Sequence, residues 1–290
     1  MRKPSIGQSI LLLILGVAAL TAGFRVYAEP LTVMSYNIRY DNPADGINAW
    51  PHRTDAVAEM TGPKYGTDIA GLQEALRHQI DQIQERLPDY QWVGVGRDDG
   101  LDRGEFSPIF YRTERLQLLA TNTFWLSETP DIPRSRSWDA AITRIVTWAR
   151  FLDLHEDREL YVFNTHFDHR GEQARIESAS MLAQAIARIA GDDPVVLLGD
   201  LNVPESSAAY AVLARSPNLH DARYRSETGH RGPTASFNDW ETLRPDESRI
   251  DYVFTSNHFR VLSHHILDDR YAGRFPSDHL PVLAEIMLEP

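Results

Sequence analysis

The chain has 290 residues, 42% of them hydrophobic, with no cysteine and a formal net charge of −12. A globule of this length buries roughly 75% of the surface its unfolded chain exposes, so it needs no disulfide or structural metal to hold together. The lack of cysteine excludes disulfide and thiol chemistry, and the acidic balance disfavours broad nucleic-acid binding, which draws on counterion release at a basic surface; a local basic cleft stays open.

The N-terminus begins with a short basic region, MRKPSIGQS, followed by an uncharged apolar run, ILLLILGVAAL, over 10–20. TAGFRVYA then places Val26 and Ala28 at the small-residue positions of a cleavage site, so residues 1–28 read as a secretory signal. The apolar run is shorter than the roughly 18 residues of a membrane span, which leaves an uncleaved anchor as the weaker alternative. The remaining chain, 29–290, is expected to form one domain outside the cytoplasm, secreted or periplasmic. Cleavage would remove Arg2, Lys3 and Arg25 and no acid, taking the net charge from −12 to −15.

From residue 31 onward, short apolar runs alternate with helical patterns. LTVMSYNI (31–38), DIAGLQE (68–74), SPIFYR (107–112) and ITRIVTWARFLDL (142–154) read as strands. So do ELYVFNTHF (159–167), PVVLLGDLN (194–202), RIDYVF (249–254) and LPVLAEIML (280–288). The unbroken apolar stretch in VVLLG predicts a strand buried on both faces. Helical patterns occupy about 52–64, 75–87 and 171–190. In the last, Ile176, Ala179, Leu182, Ala183, Ile186 and Ile189 fall near one face, with Glu177, Gln184 and Arg188 elsewhere. Stretches 96–106, 129–140 and 221–248 read as loops able to wall a pocket. Many strands with fewer helices predict a layered α/β (α+β) domain of two packed mixed sheets flanked by helices.

Polar residues recur at the ends of these strands. Asn37 follows one apolar run and Glu74 ends another. Asn164, His166 and Asp168 alternate with period two, which aims all three at one face of an extended backbone. Asp200 and Asn202 share that relation, Asp251 opens a strand, and Asp278 and His279 precede the last one. Each alone is an ordinary turn residue; strand ends gathered at one edge would make them a cluster. His220, His230, His264 and His265 have no such context. Ser277, Asp278 and His279 do not form a Ser-His-Asp triad, because consecutive side chains diverge.

The residue types set the chemistry. Carboxylate and amide oxygens without Cys suit a hard cation, Mg²⁺ or alternatively Mn²⁺. Asn and His side chains can donate to phosphoryl oxygens as negative charge develops. An Asp can orient or deprotonate a water, and a second His can protonate the leaving oxygen. The set points to metal-assisted hydrolysis of a phosphate ester.

The motifs SYNIR, LQEA, NTHFDH, GDLN, RIDYVF and SDHLPV run in order from residue 35 to 282, and together they resemble the endonuclease/exonuclease/phosphatase superfamily. The resemblance implies a four-layer α-β-β-α sandwich with the site at one edge of two face-to-face sheets. It implies Glu74 as principal metal ligand, with Asn37 and Asp278 beside the metal. Asp200 would orient or activate the attacking water, Asn202 would hold a phosphoryl oxygen, and His166 would assist the leaving group. His279 would contact the scissile phosphate and be oriented by Asp251; which group is general base and which general acid stays open. Asn164 and Asp168 fall on the substrate side of the same motif. Some relatives carry an acid where this chain has Arg39, which makes Arg39 either a phosphate contact or an ion-pair partner. Arg144 and Arg170 are further candidate phosphate contacts, and Trp50, Trp125, Trp138 and Phe237 would either wall the pocket or fill the core.

The expected protein is a monomeric, exported, Mg²⁺-dependent phosphodiesterase or phosphatase acting on a small or lipid-linked phosphate ester. Membrane contact is expected only through an uncleaved leader or a lipid substrate. An extracytoplasmic nuclease is the alternative enzyme, and a glycan- or partner-binding protein on the same fold is the alternative from another class.

Overall fold

A computed structural model describes residues 29–240 and 248–289, so the leader-like segment lies outside the described residues. In chain order it contains β1 (Leu31–Asn37), α1 (Thr54–Thr61), β2 (Ile69–Gln73), α2 (Arg77–Arg86), β3 (Tyr90–Val93), β4 (Ile109–Arg112) and β5 (Leu116–Trp125). There follow β6 (Ile145–Asp153), β7 (Arg158–His166), α3 (Glu172–Ala190), β8 (Val195–Asp200), α4 (Ala208–Ala214), β9 (His220–Asp221) and α5 (Ala222–Arg225). The chain closes with β10 (His230–Arg231), β11 (Asp251–Thr255), β12 (Phe259–Ile266) and β13 (Val282–Leu288). Among the described residues, no helix is long and apolar enough to cross a membrane.

The strands form two sheets, one ordered β10-β12-β13-β1-β2-β4-β3 and the other β5-β6-β7-β8-β11-β9. Three apolar layers bind them into a sandwich. Val33, Ile69, Val162, Leu198, Val253 and Ala284 pack between the sheets. Met34, Leu72 and Phe110 turn outward against Val57, Ile80 and Ile83 of α1 and α2. Phe163, Leu197 and Phe254 turn outward against Leu182, Ile186 and Leu213 of α3 and α4. The alternation Val33/Met34 and Leu197/Leu198 is the period of two in a strand whose two faces meet different layers. That is why β8 reads as a continuous apolar run, and it is buried at every position.

Parallel pairing places the site. β1 runs parallel to β2 and β7 parallel to β8, while β11 is antiparallel to β8 and β13 to β1. The C-terminal ends of β1, β2, β7 and β8 therefore share an edge with the starts of β11 and β13.

Five strands (β3, β5, β9, β10 and β12) and two short helices (α4 and α5) are missing from the sequence reading, β9 and β10 being two residues each. β5 alternates exposed and half-buried residues at the edge of its sheet, and β12 carries Arg, Ser and two His among its apolar residues. Both are half-solvated, so their apolar signal is diluted, and β3 has four residues only. α4 is seven residues long, too short for a periodic pattern. The helix read over 52–64 is a 3-10 turn, Trp50–His52, followed by α1. The loop read over 221–248 contains α5 and β10 in its described part.

His264, one of the histidines without sequence context, is fully buried on β12. His230 Nε2 donates to the Pro233 carbonyl at 2.7 Å, so its Nδ1 accepts from His264 Nδ1 at 3.0 Å. His264 Nε2 is thus a buried, unprotonated nitrogen with no partner among the described residues. Burial, with Arg249 nearby, pushes its pKa down to about 2. An unfolded histidine takes up a proton below roughly pH 6.5 and the folded one refuses it, so stability drops as pH falls from there toward 2. The melting temperature should accordingly fall between pH 7.5 and 5, and His264→Gln should shrink that fall even if it lowers stability overall. An unchanged pH slope in the variant would contradict this.

Candidate active site

The inner face of each central strand is apolar along its length and turns polar at the shared edge. On β1 the inward series is Val33, Ser35, Asn37; on β7 it is Leu160, Val162, Asn164, His166; on β8 it is Val196, Leu198, Asp200. Register then brings these ends together, with His166 opposite Asp200 and Asp200 opposite Asp251. Contacts across the sheets complete the cluster. Asn37 Nδ2 donates to Asp200 Oδ2 at 3.0 Å and to Glu74 Oε1 at 3.2 Å. Asp251 Oδ2 accepts from His279 Nδ1 at 2.9 Å and from Ser236 Oγ at 2.7 Å. His279 Nε2 lies 3.8 Å from Asp200 Oδ2, and His166 Nε2 lies 3.3 Å from the same atom.

Backbone strain concentrates here. Arg39, Glu74 and Asn202, each one or two residues beyond a strand, have φ of 55°, 61° and 52°. Non-glycine residues hold such angles only when the surroundings over-determine them. Arg53 supplies part of that constraint. Its buried guanidinium donates to the carbonyls of Ile38, Arg39 (2.7 Å) and Pro276 (3.3 Å), tying the turn after Asn37 to the segment before Asp278. Ser277 Oγ donates to the Asn37 carbonyl at 2.7 Å, so this serine positions backbone and is not a nucleophile.

The electrostatics separate the titratable groups. Burial, then the charge of Asp251, pushes the Asp200 carboxyl up to about 7. Burial works against a charge on His279, but Asp251 and Asp200 outweigh it and hold the imidazole well above the usual histidine range. Burial, reinforced by Arg144 and Arg97, holds His166 well below that range. Asn202 Nδ2 donates to His166 Nε2 at 2.8 Å, so the neutral ring carries its proton on Nδ1. Divergent pKa values within one cluster are the usual mark of divided acid and base roles.

Arg39, Glu74, Arg144, His166, Asp200 and Asn202 border a single cavity of about 560 Å³, together with Asp278 and His279. Asn37 and Asp251 support it from behind through the bonds above. The structure brings these ten together and leaves three candidates out. Asn164 is fully buried: it accepts from Gln73 Nε2 at 2.7 Å and donates to the carbonyls of Leu72 (2.7 Å) and Pro108 (2.8 Å). It is a peg between the sheets with no capacity left for substrate. Asp168 accepts from the backbone N–H groups of Ala141, Ile142, Arg170 and Gly171, so its carboxylate holds two loops. Arg170 is exposed outside the cavity lining. Arg39 pairs with Asp45 at 3.0 Å and lies 3.7 Å from Asp278, which makes it an ion-pair partner that also faces the cavity. Trp50 and Trp125 are core residues and Trp138 is outside the lining, whereas Phe237 packs on His279 with ring centroids 5.0 Å apart. Tyr40, Trp240, Glu105 and His169 also line the cavity, and Ser236 and Arg53 support it. None of these six is a candidate from sequence: Tyr40, Glu105, Ser236 and Trp240 lie in irregular segments where no periodicity assigns a face, Arg53 falls in the stretch read as a helix, and His169 closes the NTHFDH motif without an implied role.

A model of the Endonuclease/Exonuclease/phosphatase family matches residues 34–279, from β1 to the histidine of the dyad. The chain belongs to this family. An endonuclease/exonuclease/phosphatase of Bacteroides vulgatus has the same fold, with a TM-score of 0.86 and 38% identity over 90% of this chain and 100% of its own. A mannosyl-6-phosphatase of Bacteroides thetaiotaomicron gives a TM-score of 0.85 and 37% identity, covering 89% of this chain and 100% of its own. An uncharacterised protein of Acanthamoeba polyphaga mimivirus is 29% identical over 167 residues, 55% of this chain and 61% of its own length. The chain thus spans less than two-thirds of that relative. Members of this family are metal-dependent hydrolases of phosphate esters.

The donor set fits a divalent cation. Asp278 is raised above the ordinary carboxylate range by burial and by the charge of Glu74, a repulsion that a bound cation would relieve. Ligand atoms of Asp200, Asp251 and His279 also lie within 4.8 Å of one another, the spacing of a metal group. In that trio the Asp251–His279 hydrogen bond already occupies two of the three.

The role of Asn164 is open to measurement. Asn164→Ala strands an amide and two carbonyls in the core, which should destabilise the fold by about 2–4 kcal/mol while leaving KM unchanged. A raised KM with unaltered melting would return Asn164 to the substrate.

Proposed function

We propose that the chain is an exported, monomeric, Mg²⁺-dependent phosphatase of small phosphomonoesters, with sugar phosphates as the leading class and nucleic acid disfavoured. One observation carries this reading: the cavity is a pocket for one small molecule. Its volume, about 560 Å³, is that of a small-ligand site. Its walls are the aromatic rings of Tyr40, Phe237 and Trp240, and its floor holds Arg144 and the protonated His279. The Arg144 Nε is buried without a partner among the described residues, a donor suited to a phosphoryl oxygen. The Bacteroides thetaiotaomicron mannosyl-6-phosphatase supports a sugar phosphate. Export is supported by the leader-like pattern of residues 1–28.

The chain's own groups divide the work. His279 carries a fixed positive charge and donates from Nε2 toward the phosphoryl group, while Asp251 holds its ring in place. Arg144 holds a further phosphoryl oxygen, whereas Asn202, expected from sequence to do so, spends its two amide N–H groups on His166 Nε2 and the Phe167 carbonyl and so orients His166. Asp200, with a pKa of about 7, can take a proton from the attacking water at neutral pH. His166, 3.3 Å away, forms with it one proton-handling pair that can return a proton to the leaving oxygen. Glu74 and Asp278, with Asn37 beside them, would hold Mg²⁺, which supplies Lewis-acid polarisation of the phosphoryl group.

A panel of mannose 6-phosphate, glucose 6-phosphate, a phosphodiester, a phospholipid and DNA tests the substrate class. Sugar monophosphates should be hydrolysed fastest, EDTA should abolish turnover and Mg²⁺ restore it. Strong DNA cleavage with no small-ester turnover would overturn the reading. Glu74→Gln and His279→Ala should each lower kcat by at least about a hundredfold, the scale of a lost charge-stabilising group. Near-wild-type rates in either would refute the site assignment. Intact mass of the exported protein should correspond to a chain starting at Glu29; retention of residues 1–28 would show an anchor.

A further inference from the structure

Glu105 stands at the wall of the catalytic cavity, where Arg97 grips it with two bonds of 2.7 Å and Arg144 approaches to 3.8 Å. Behind this wall opens a second cavity of about 380 Å³, bordered by Arg97, Asp98, Arg134, Arg136, Ile142 and Thr143. Ile142 borders both cavities, and Arg97 of the second bonds Glu105 of the first, so the two are neighbours. The second cavity is the more basic. Among the described residues, neither Arg134 nor Arg136 is within ion-pair distance of a carboxylate, and Asp98 is the single acid in the lining.

The loop that presents these arginines is built, although it has no regular secondary structure. Arg134 holds a φ of 66°, and its carbonyl accepts from Thr143 Oγ1 at 3.2 Å. Arg136 Nη1 donates to the Ala141 carbonyl at 2.6 Å, which aims one edge of the guanidinium and leaves its other donors available. Ser135 and Ser127 share a hydroxyl bond of 2.6 Å at the loop's base. Asp168 fixes Ala141 and Ile142 through bonds of 2.9 and 3.1 Å, linking the loop to the strand that carries His166. A residue at positive φ in a hydrogen-bonded loop that presents two exposed arginines beside an active site points to ligand binding.

We propose that this second cavity is a subsite for a second anionic group on the substrate. On this inference, which rests on the phosphatase reading above, the preferred ester carries a further phosphate or carboxylate on the part that is not transferred. Arg134 and Arg136 bind that group, and the catalytic cavity holds the scissile phosphate.

The test compares glucose 6-phosphate, 6-phosphogluconate and glucose 1,6-bisphosphate. At least one doubly anionic ester should exceed glucose 6-phosphate in kcat/KM by about tenfold, as expected of one added charge-assisted contact, and the gain should shrink with salt. Preference for the bisphosphate alone assigns a phosphate subsite, and preference for both assigns a general anion site. Arg134→Ala/Arg136→Ala should erase the gain and leave glucose 6-phosphate turnover unchanged, with Arg134→Lys/Arg136→Lys restoring part of it. Calorimetry on Glu74→Gln, with and without the arginine substitutions, reads the same discrimination as binding of glucose 1,6-bisphosphate. If no ester is turned over but this binding difference persists, the phosphatase reading fails and the subsite stands. Equal affinity and equal kcat/KM for all three compounds would overturn the subsite.

Discussion

Asp200 is a carboxylate taken out of water between two sheets, and the rest of the site follows from what that burial demands. An isolated buried charge is expensive unless hydrogen bonds or a proton compensate it. Here the amide of Asn37 and the backbone N–H of Asn202 supply bonds at 3.0 and 2.9 Å, while Asp251 and His279 bring a second carboxylate and a cation. The compensation is incomplete, which leaves the carboxyl poised near 7 instead of fully ionised. A group that only stabilised the fold would gain from full pairing; this one is kept responsive.

The sandwich makes the burial possible. Parallel pairing of β1 with β2 and of β7 with β8 delivers four strand ends to one edge, and antiparallel β11 and β13 deliver two strand starts. Each strand's inner face, apolar elsewhere, then contributes its last residue to the mouth. Side chains from the two sheets bond directly, Asn37 to Asp200 and His279 to Asp251, so the active site is also part of the seam. The positive φ values of Arg39, Glu74 and Asn202 are the local strain of turning the chain away at that seam, and Arg53 and Ser277 hold the turns.

Around this centre, residues that look catalytic serve as frame. Asn164 pegs β7 to β2 with all its bonds internal, and the side chain leaves so little room that a Cβ at Gly71 would lie 2.8 Å from it. Asp168 pins the arginine loop to the strand that carries His166. The irregular segments that wall the cavity have their own ties: the Tyr40 N–H donates to Glu74 at 3.1 Å, and between Phe237 and Trp240 the Asn238 amide donates to the Ser277 carbonyl at 3.0 Å and accepts from the Trp240 N–H at 2.8 Å.

Much of this was legible in the sequence. The apolar runs marked the central strands, their polar ends marked the cluster, and the ordered motifs marked the family and its hydrolytic chemistry, because strand periodicity and residue type are local properties. The tertiary structure alone decided depth and pairing. Asn164 and His166 lie two residues apart on one face of β7, yet Asn164 pairs in register with Leu198 and is sealed in the core, whereas His166 pairs with Asp200 and opens to the mouth. Likewise Arg39, Arg144 and Arg170 are alike as letters, and only packing made the first an ion-pair partner, the second a buried donor and the third a solvated surface group. Period two specifies which face a side chain takes; how far along that face water reaches depends on where the neighbouring strand ends, and that is set by contacts distant in the chain.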